Sequence, residues 1–312
     1  MARNRRLGYT QALRRLGFLA IGHVHGKAGH PALYGIARHR HYPALARQHH
    51  NTTKNIIEDA CDRLSVLAGR EILNVVPGHV STEVDARLSF DTRATVEKAR
   101  RLMAIYRELD VDPARILIKT AATWEGIRAV EVLEEEGTRC NVTLVFNQTQ
   151  ALAAAEAGAT LISPFVGRIF DWHRKQGMDI ATPDDDPGVQ SVRQIYRTFK
   201  ARGLETIVMG ASFRNAAQIE ALAGCDRLTI SPALLGELAE DDGALSRCLD
   251  PDTVAPAEPD GALPARALNE ARFRWSLNDN PMACDLLSDG IRRFAADQRA
   301  LESLLTAEDI AA

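Results

Sequence analysis

The chain has 312 residues, a formal net charge of −3 and 46% apolar side chains, enough for a sizeable core in one large α/β domain. Its apolar runs fall short of the roughly 18 residues a membrane span needs, so no transmembrane segment and no membrane partner are expected. The five cysteines (Cys61, Cys140, Cys225, Cys248, Cys284) are scattered and lack C-x-x-C spacing, which excludes a disulfide-stapled secreted fold and a structural zinc site and fits a reducing cytoplasm.

The charge is unevenly spread. Residues 1–50 hold nine Lys/Arg, seven of the nine histidines and no acid before Glu58. Subtracting that +9 from −3 leaves −12 on the other 262 residues. Three readings of this basic beginning stay open: an Arg-rich organelle transit peptide, a basic arm for a polyanion, or non-native coding such as an out-of-frame start. It lacks serine enrichment and a clean amphipathic period, which weighs against the transit peptide. The acidic remainder weighs against a nucleic-acid partner. Residues 1–54 are therefore set apart from a domain spanning 55–312, although Gly17–Val24 (GFLAIGHV) has strand character.

From Asn55 a regular rhythm begins. Apolar spacing predicts a helix over 55–73, alternation predicts a strand over 80–84, and a second helix follows over 92–109, capped by Asp91 or Thr92. A strand at 115–119 leads to a helix over 123–136, with Thr123 as N-cap and Gly137 as the stop. Strand 142–146, helix 148–157 ended by Gly158, strand 161–163 and helix 167–176 continue the pattern. An acidic loop (DDDPG, 184–188) precedes helix 189–201, strand 206–210, helix 215–223, strand 227–230 and helix 232–240. Residues 250–265, with four prolines, read as a surface loop, and 268–306 as helical. Six strand–helix units mean parallel strands with right-handed crossovers, and runs such as ILI, TLVF and TIVM suit strands covered on both faces.

Polar residues gather where such a sheet places its chemistry, at the carboxyl ends of the strands. Glu83 comes late in VSTEV, Lys119 ends ILIK, Asn141 and Thr143 punctuate NVTLVF, and Ser163 closes LIS. Ser212 and Arg214 follow VMGA, and Arg168 stands five residues after Ser163. Each alone has a bland explanation, since a lysine beyond an apolar strand most often snorkels to water. Together they favour a site. An amine stripped of water is more readily deprotonated, and a neutral amine attacks a ketone to give a Schiff base, an electron sink for C–C cleavage. Glu83 is the nearest carboxylate in strand order for moving the proton. Asn141, Thr143 and Ser163 suit a polyhydroxylated chain, and Arg168 and Arg214 suit a terminal phosphate. The chemistry is aldol-type on a phosphosugar, with no metal and no cofactor expected.

The motifs VPGHVSTEVDARLSFDT (76–92), ILIKTAATWEGIRA (116–129), CNVTLVFNQTQA (140–151), LISPFVGRIFDW (161–172), VMGASFRN (208–215) and GCDRLTISPALL (224–235) resemble the transaldolases over about residues 55–306. The resemblance implies a (β/α)8 TIM-type barrel with additional C-terminal helices, acting as a cytoplasmic homodimer in the non-oxidative pentose phosphate pathway. It implies transfer of a dihydroxyacetone unit between sedoheptulose 7-phosphate and glyceraldehyde 3-phosphate. The Schiff-base lysine falls on Lys119, the glutamate working with a bound water on Glu83 and its partner threonine on Thr143. Asn141, Ser163 and Ser212 match contacts to substrate hydroxyls, Phe165 a pocket wall, and Arg168 and Arg214 the phosphate clamp. The family's first strand carries an acid/base aspartate and its second a T-T-N-P-S-L motif. Residues 1–54 contain no aspartate, and only Tyr42-Pro43-Ala44-Leu45 approaches the second motif. Two other readings stay open beside a transaldolase: a class I aldolase on fructose 6-phosphate, and an impaired barrel whose basic N-terminus binds a polyanion.

Overall fold

The structure is a computed structural model, which describes residues 53–256 and 268–310. The basic segment through residue 52, with the expected strand at 17–24 and the Tyr42–Leu45 stretch, lies outside the described residues, as does 257–265 of the proline loop. In chain order the elements are α1 (Thr53–Leu73), β1 (Val80–Glu83), α2 (Thr92–Glu108), β2 (Ile116–Ala121), α3 (Trp124–Glu135), β3 (Cys140–Val145), α4 (Gln148–Glu156), β4 (Leu161–Pro164) and α5 (Gly167–Lys175). There follow α6 (Pro187–Ala201), β5 (Ile207–Ala211), α7 (Ala216–Glu220), β6 (Arg227–Thr229), α8 (Pro232–Glu240), α9 (Glu270–Asn278) and α10 (Pro281–Ile310). The strands hydrogen-bond in sequence order, β1 to β6, and β3 through β6 pair in parallel. Each strand is followed by a helix, and two helices are added at the C-terminal end, the α/β architecture of the TIM type. Among the described residues no helix is long and apolar enough to cross a membrane.

Local chemistry explains the boundaries. Asp91 caps α2, accepting from the Ala94 amide at 2.9 Å, and Thr123 caps α3 through the Gly126 amide at 2.9 Å. Gly137 and Gly158 take the left-handed conformation (φ +79° and +77°) that ends α3 and α4. Three expectations need correction. The helix expected over 215–223 is only Ala216–Glu220, because the chain turns at 221–224 to bring Gly224 (φ +98°) against the Leu249 carbonyl. Helix α6 starts two residues early, with Pro187 in its first turn and Asp186 as N-cap. The helical stretch expected over 268–306 is two helices, interrupted before Pro281.

The described residues pack into two compact units. One comprises the described residues through Ala86, Glu97–Ile118 and the described residues from Arg293. Within it Asp59 and Asp62 of α1 are buried carboxylates, answered by Arg63, Lys98 and Arg101. Tyr106 lies against Gly69, which has no Cβ to obstruct it, and its hydroxyl meets Thr82 Oγ1 at 2.5 Å. The second unit comprises Arg87–Val96 and Lys119–Arg292. Its core is formed by the fully apolar positions of β3 and β4 with Ile127, Leu133, Ile195 and Phe199 from the helices around them.

Candidate active site

Every residue of β2 is buried, Lys119 included at 5% exposure, and the strand runs two residues beyond it to Ala121. The lysine thus lies within a buried strand rather than at its exposed tip. The next strand, β3, is buried throughout and carries Asn141 and Thr143 two apart, on one face. The Thr143 hydroxyl is fully buried and has no hydrogen-bond partner among the described residues. Such a hydroxyl bears the cost of lost hydration, which a bound hydroxyl group would relieve.

Immediately after Thr143 the strand is bent. Leu144 has φ +57°, and the register with β4 shifts between Val142 and Val145. A bulky residue in the left-handed region is strained, and such strain persists only where neighbours impose it. Gln150 imposes it here. Its fully buried side chain donates to the Ala122 carbonyl at 2.9 Å and the Leu144 carbonyl at 3.1 Å. Its Oε1 accepts from the Phe146 amide at 2.9 Å. One glutamine therefore joins the end of β2 to the bend in β3, with the Ala122 amide also donating to the Thr143 carbonyl at 2.8 Å.

From β4, Ser163 donates its hydroxyl proton to Asn141 Oδ1 at 2.8 Å. Phe165 follows, with its ring edge-on to Phe146 (centroids 5.5 Å apart) and the Arg168 guanidinium 5.0 Å above its face. Arg168 is only 6% exposed, and Gly290 of α10 lies so near that a Cβ there would come within 3.2 Å of its Nη1. Helix α5 opens without a side-chain cap; its Val166 and Gly167 amides donate to the Ala211 and Ser212 carbonyls at 2.9 and 2.8 Å. The positive end of the α5 dipole therefore adjoins Ser212.

Ser212 also has left-handed backbone (φ +62°), which turns the chain so that Arg214 lies over the start of α5. A Cβ on Gly167 would fall 2.3 Å from the Ser212 carbonyl and 2.7 Å from Arg214 Nη1, so only glycine fits there. The Arg214 amide donates to Gln218 Oε1 at 2.8 Å, and Gln218 in turn donates to Asp186 Oδ2 at 2.7 Å. Asp186, read from sequence as part of an acidic loop, is 2% exposed and caps α6 through the Gly188 and Val189 amides.

Eight of the sequence-derived site residues (Lys119, Asn141, Thr143, Ser163, Phe165, Arg168, Ser212, Arg214) thus belong to one compact unit. The contacts above join Asn141 to Ser163 and Phe165 to Arg168. Glu83, the last residue of β1, is half-buried and belongs to the other unit. Sequence reasoning passed over Gln150 and Gln218. Both stand three residues after an asparagine N-cap (Asn147, Asn215) that accepts from the glutamine's own amide at 2.9 Å. That N-x-x-Q spacing, a relative of the capping box, was visible in the sequence.

Parallel strands, each followed by a helix, with buried polar side chains along successive strands, define an enzyme of the α/β-barrel class. The chain belongs to the transaldolase/fructose-6-phosphate aldolase family, whose model matches residues 17–305. That match begins within the basic segment, well before residue 55, where the motifs read from the sequence become regular. Among curated relatives, a transaldolase of Marinobacter nauticus is 57% identical over 260 residues, covering 83% of this chain and 79% of the relative. Transaldolases of a Marinomonas species (55% over 262 residues; 84% and 81%) and of Agrobacterium fabrum (52% over 269 residues; 86% and 82%) are similar in extent.

Proposed function

We propose that the chain moves a dihydroxyacetone unit from sedoheptulose 7-phosphate to glyceraldehyde 3-phosphate, giving erythrose 4-phosphate and fructose 6-phosphate, through a Schiff base on Lys119. The observation that carries this reading is a lysine 5% exposed in a buried strand whose other residues, apart from Thr120, are apolar, next to a strand presenting an amide and a hydroxyl unpartnered among the described residues. The amine adds to the donor's C2 carbonyl and water leaves. The C3–C4 bond then breaks as the C4 hydroxyl gives up its proton, and its electron pair moves into the iminium, leaving an enamine. That enamine adds to the acceptor aldehyde, and water returns the amine. Asn141, Ser163 and Thr143 take the substrate hydroxyls and the water. Phe165 walls the pocket, and Ser212 with Arg168 and Arg214 takes the phosphate. Glu83 is assigned proton transfer from its place in strand order and from the family resemblance.

The reading extends, on the family resemblance, to a cytoplasmic homodimer in the non-oxidative pentose phosphate pathway, and five free cysteines fit that compartment. Because residues 1–54 offer no aspartate to match the family's acid/base, turnover is expected at least about a hundredfold below that of a relative possessing it. The test is a coupled assay with fructose 6-phosphate and erythrose 4-phosphate. Sedoheptulose 7-phosphate formed only with acceptor present supports transfer. Steady release of dihydroxyacetone without acceptor would favour the aldolase half of the family instead, and no product in either arm would refute catalysis by this chain.

A further inference from the structure

Arg214 is more than a phosphate ligand waiting on a flexible stem; something holds it in place. Its Nε and Nη2 both donate to one oxygen of Asp171, at 2.9 and 2.7 Å. That leaves Nη1 turned inward, 3.2 Å from the Ser212 carbonyl and 3.3 Å from the Ser212 hydroxyl. Two donors on one carboxylate oxygen, with a third on the neighbouring loop, fix the plane of the guanidinium. An arginine held so meets a phosphate without first losing its rotamer freedom.

The placement of Asp171 follows from the helix. It stands three residues after Arg168 on α5, so both occupy one face of that helix, one turn apart. Helix α5 thus brings its own arginine and the acid that orients the arginine of the next loop. Gly167, at the start of the same helix, keeps clear the space through which the Arg214 stem passes, since a Cβ there would lie 2.8 Å from Arg214 Cγ. An ordinary surface ion pair is the competing explanation. The side chains are 36% and 43% exposed, and such pairs contribute little on their own. Here the carboxylate's effect is read through what the oriented arginine then binds.

Resting on the reading of Arg214 as a phosphate ligand, we propose that Asp171 is a positioning residue for phosphosugar binding. It holds the Nε–Nη2 edge of Arg214 so that Nη1 and the Ser212 hydroxyl face the phosphate together. A carboxylate beside a phosphate also repels it, so this role makes a prediction with a definite sign. If orientation outweighs repulsion, removing the acid weakens phosphate binding; if repulsion dominates, removing it tightens binding.

The test is calorimetric titration of the full chain and its variants with fructose 6-phosphate, fructose and inorganic phosphate, which needs no turnover. Asp171→Ala is expected to weaken fructose 6-phosphate and phosphate about fivefold and leave fructose unchanged. Asp171→Asn, which keeps an acceptor for the same two donors, is expected to recover most of that loss. In an Arg214→Ala background, Asp171→Ala should weaken phosphate binding no further, because the arginine it orients is gone and only its repulsion of the phosphate is left to lose. Tighter or unchanged phosphosugar binding in Asp171→Ala overturns the proposal. So does an equal loss on fructose, which would mean a structural role. Should Arg214→Ala itself leave fructose 6-phosphate binding intact, the phosphate reading of Arg214 fails first, and the two failures are told apart.

Discussion

The corners after β3 and β5 share a construction and differ in surroundings. After β3 the chain runs Phe146-Asn147-Gln148-Thr149-Gln150; after β5 it runs Arg214-Asn215-Ala216-Ala217-Gln218. In both, the asparagine accepts from the glutamine's amide and the glutamine accepts from the amide just before the asparagine. Both follow a non-glycine residue in the left-handed region, Leu144 or Ser212. At the first corner Phe146 and Gln150 are buried, and the spare donors of Gln150 go to the backbone of β2 and β3. At the second, Arg214 reaches solvent and Gln218 hands its spare donor to the Asp186 carboxylate. One local device thus serves a neutral strand end and a charged, more exposed one. What differs is the residue before the asparagine and the neighbour that the glutamine finds.

Gln150→Ala should show the larger dependence on that device. It strands one amide and two carbonyls in the interior, so a loss of about 4 kcal/mol in chemical denaturation is expected. A loss below about 1 kcal/mol would mean that the Leu144 bend sustains itself. Gly167→Ala comes next, at about 3 kcal/mol, because its new Cβ meets the Ser212 carbonyl, which is backbone and has little room to yield. Thermal unfolding and phosphate titration should fall together in that variant; intact phosphate binding would detach Gly167 from the second corner. Gln218→Ala is expected to cost about 2 kcal/mol: water can replace the bond to the amide of exposed Arg214, while the buried Asp186 carboxylate loses a donor. If Gln218→Ala proves as damaging as Gln150→Ala, burial is not what separates the corners. Smallest is Gly290→Ala, at about 1 kcal/mol. There the close neighbours are the Leu144 methyl groups at 2.6 and 2.9 Å, the mobile end of a side chain. A cost matching that of Gly167→Ala would show the first corner to be as rigid as the second.

Much of this was legible in the sequence, and the reasons are local. Thr123, Gly137 and Gly158 announced helix ends because caps depend on the residue itself and its own turn. Lys119, Asn141, Thr143 and Ser163 stood out because polar side chains interrupted runs otherwise fit for burial on both faces. The bend at Leu144 was not legible, since leucine gives no sign of left-handed backbone; its cause lies in Gln150, six residues on, and in Gly290, distant in sequence. Asp171 looked like one more charge on a polar helix face until Arg214 was found beside it. Helix 215–223 was overextended because the apolar spacing continues past Glu220, while the demand that ends it comes from the Leu249 carbonyl. The break before Pro281 was readable from the proline.

The account turns on Lys119 as the residue that becomes covalently joined to substrate. Incubating the chain with fructose 6-phosphate, reducing with borohydride and mapping the modified peptide by mass spectrometry tests this directly. The expected result is one added dihydroxyacetone unit, retained as the reduced amine, on the peptide containing Lys119, and no addition in Lys119→Met. A label on another lysine, or undiminished trapping by Lys119→Met, would contradict it.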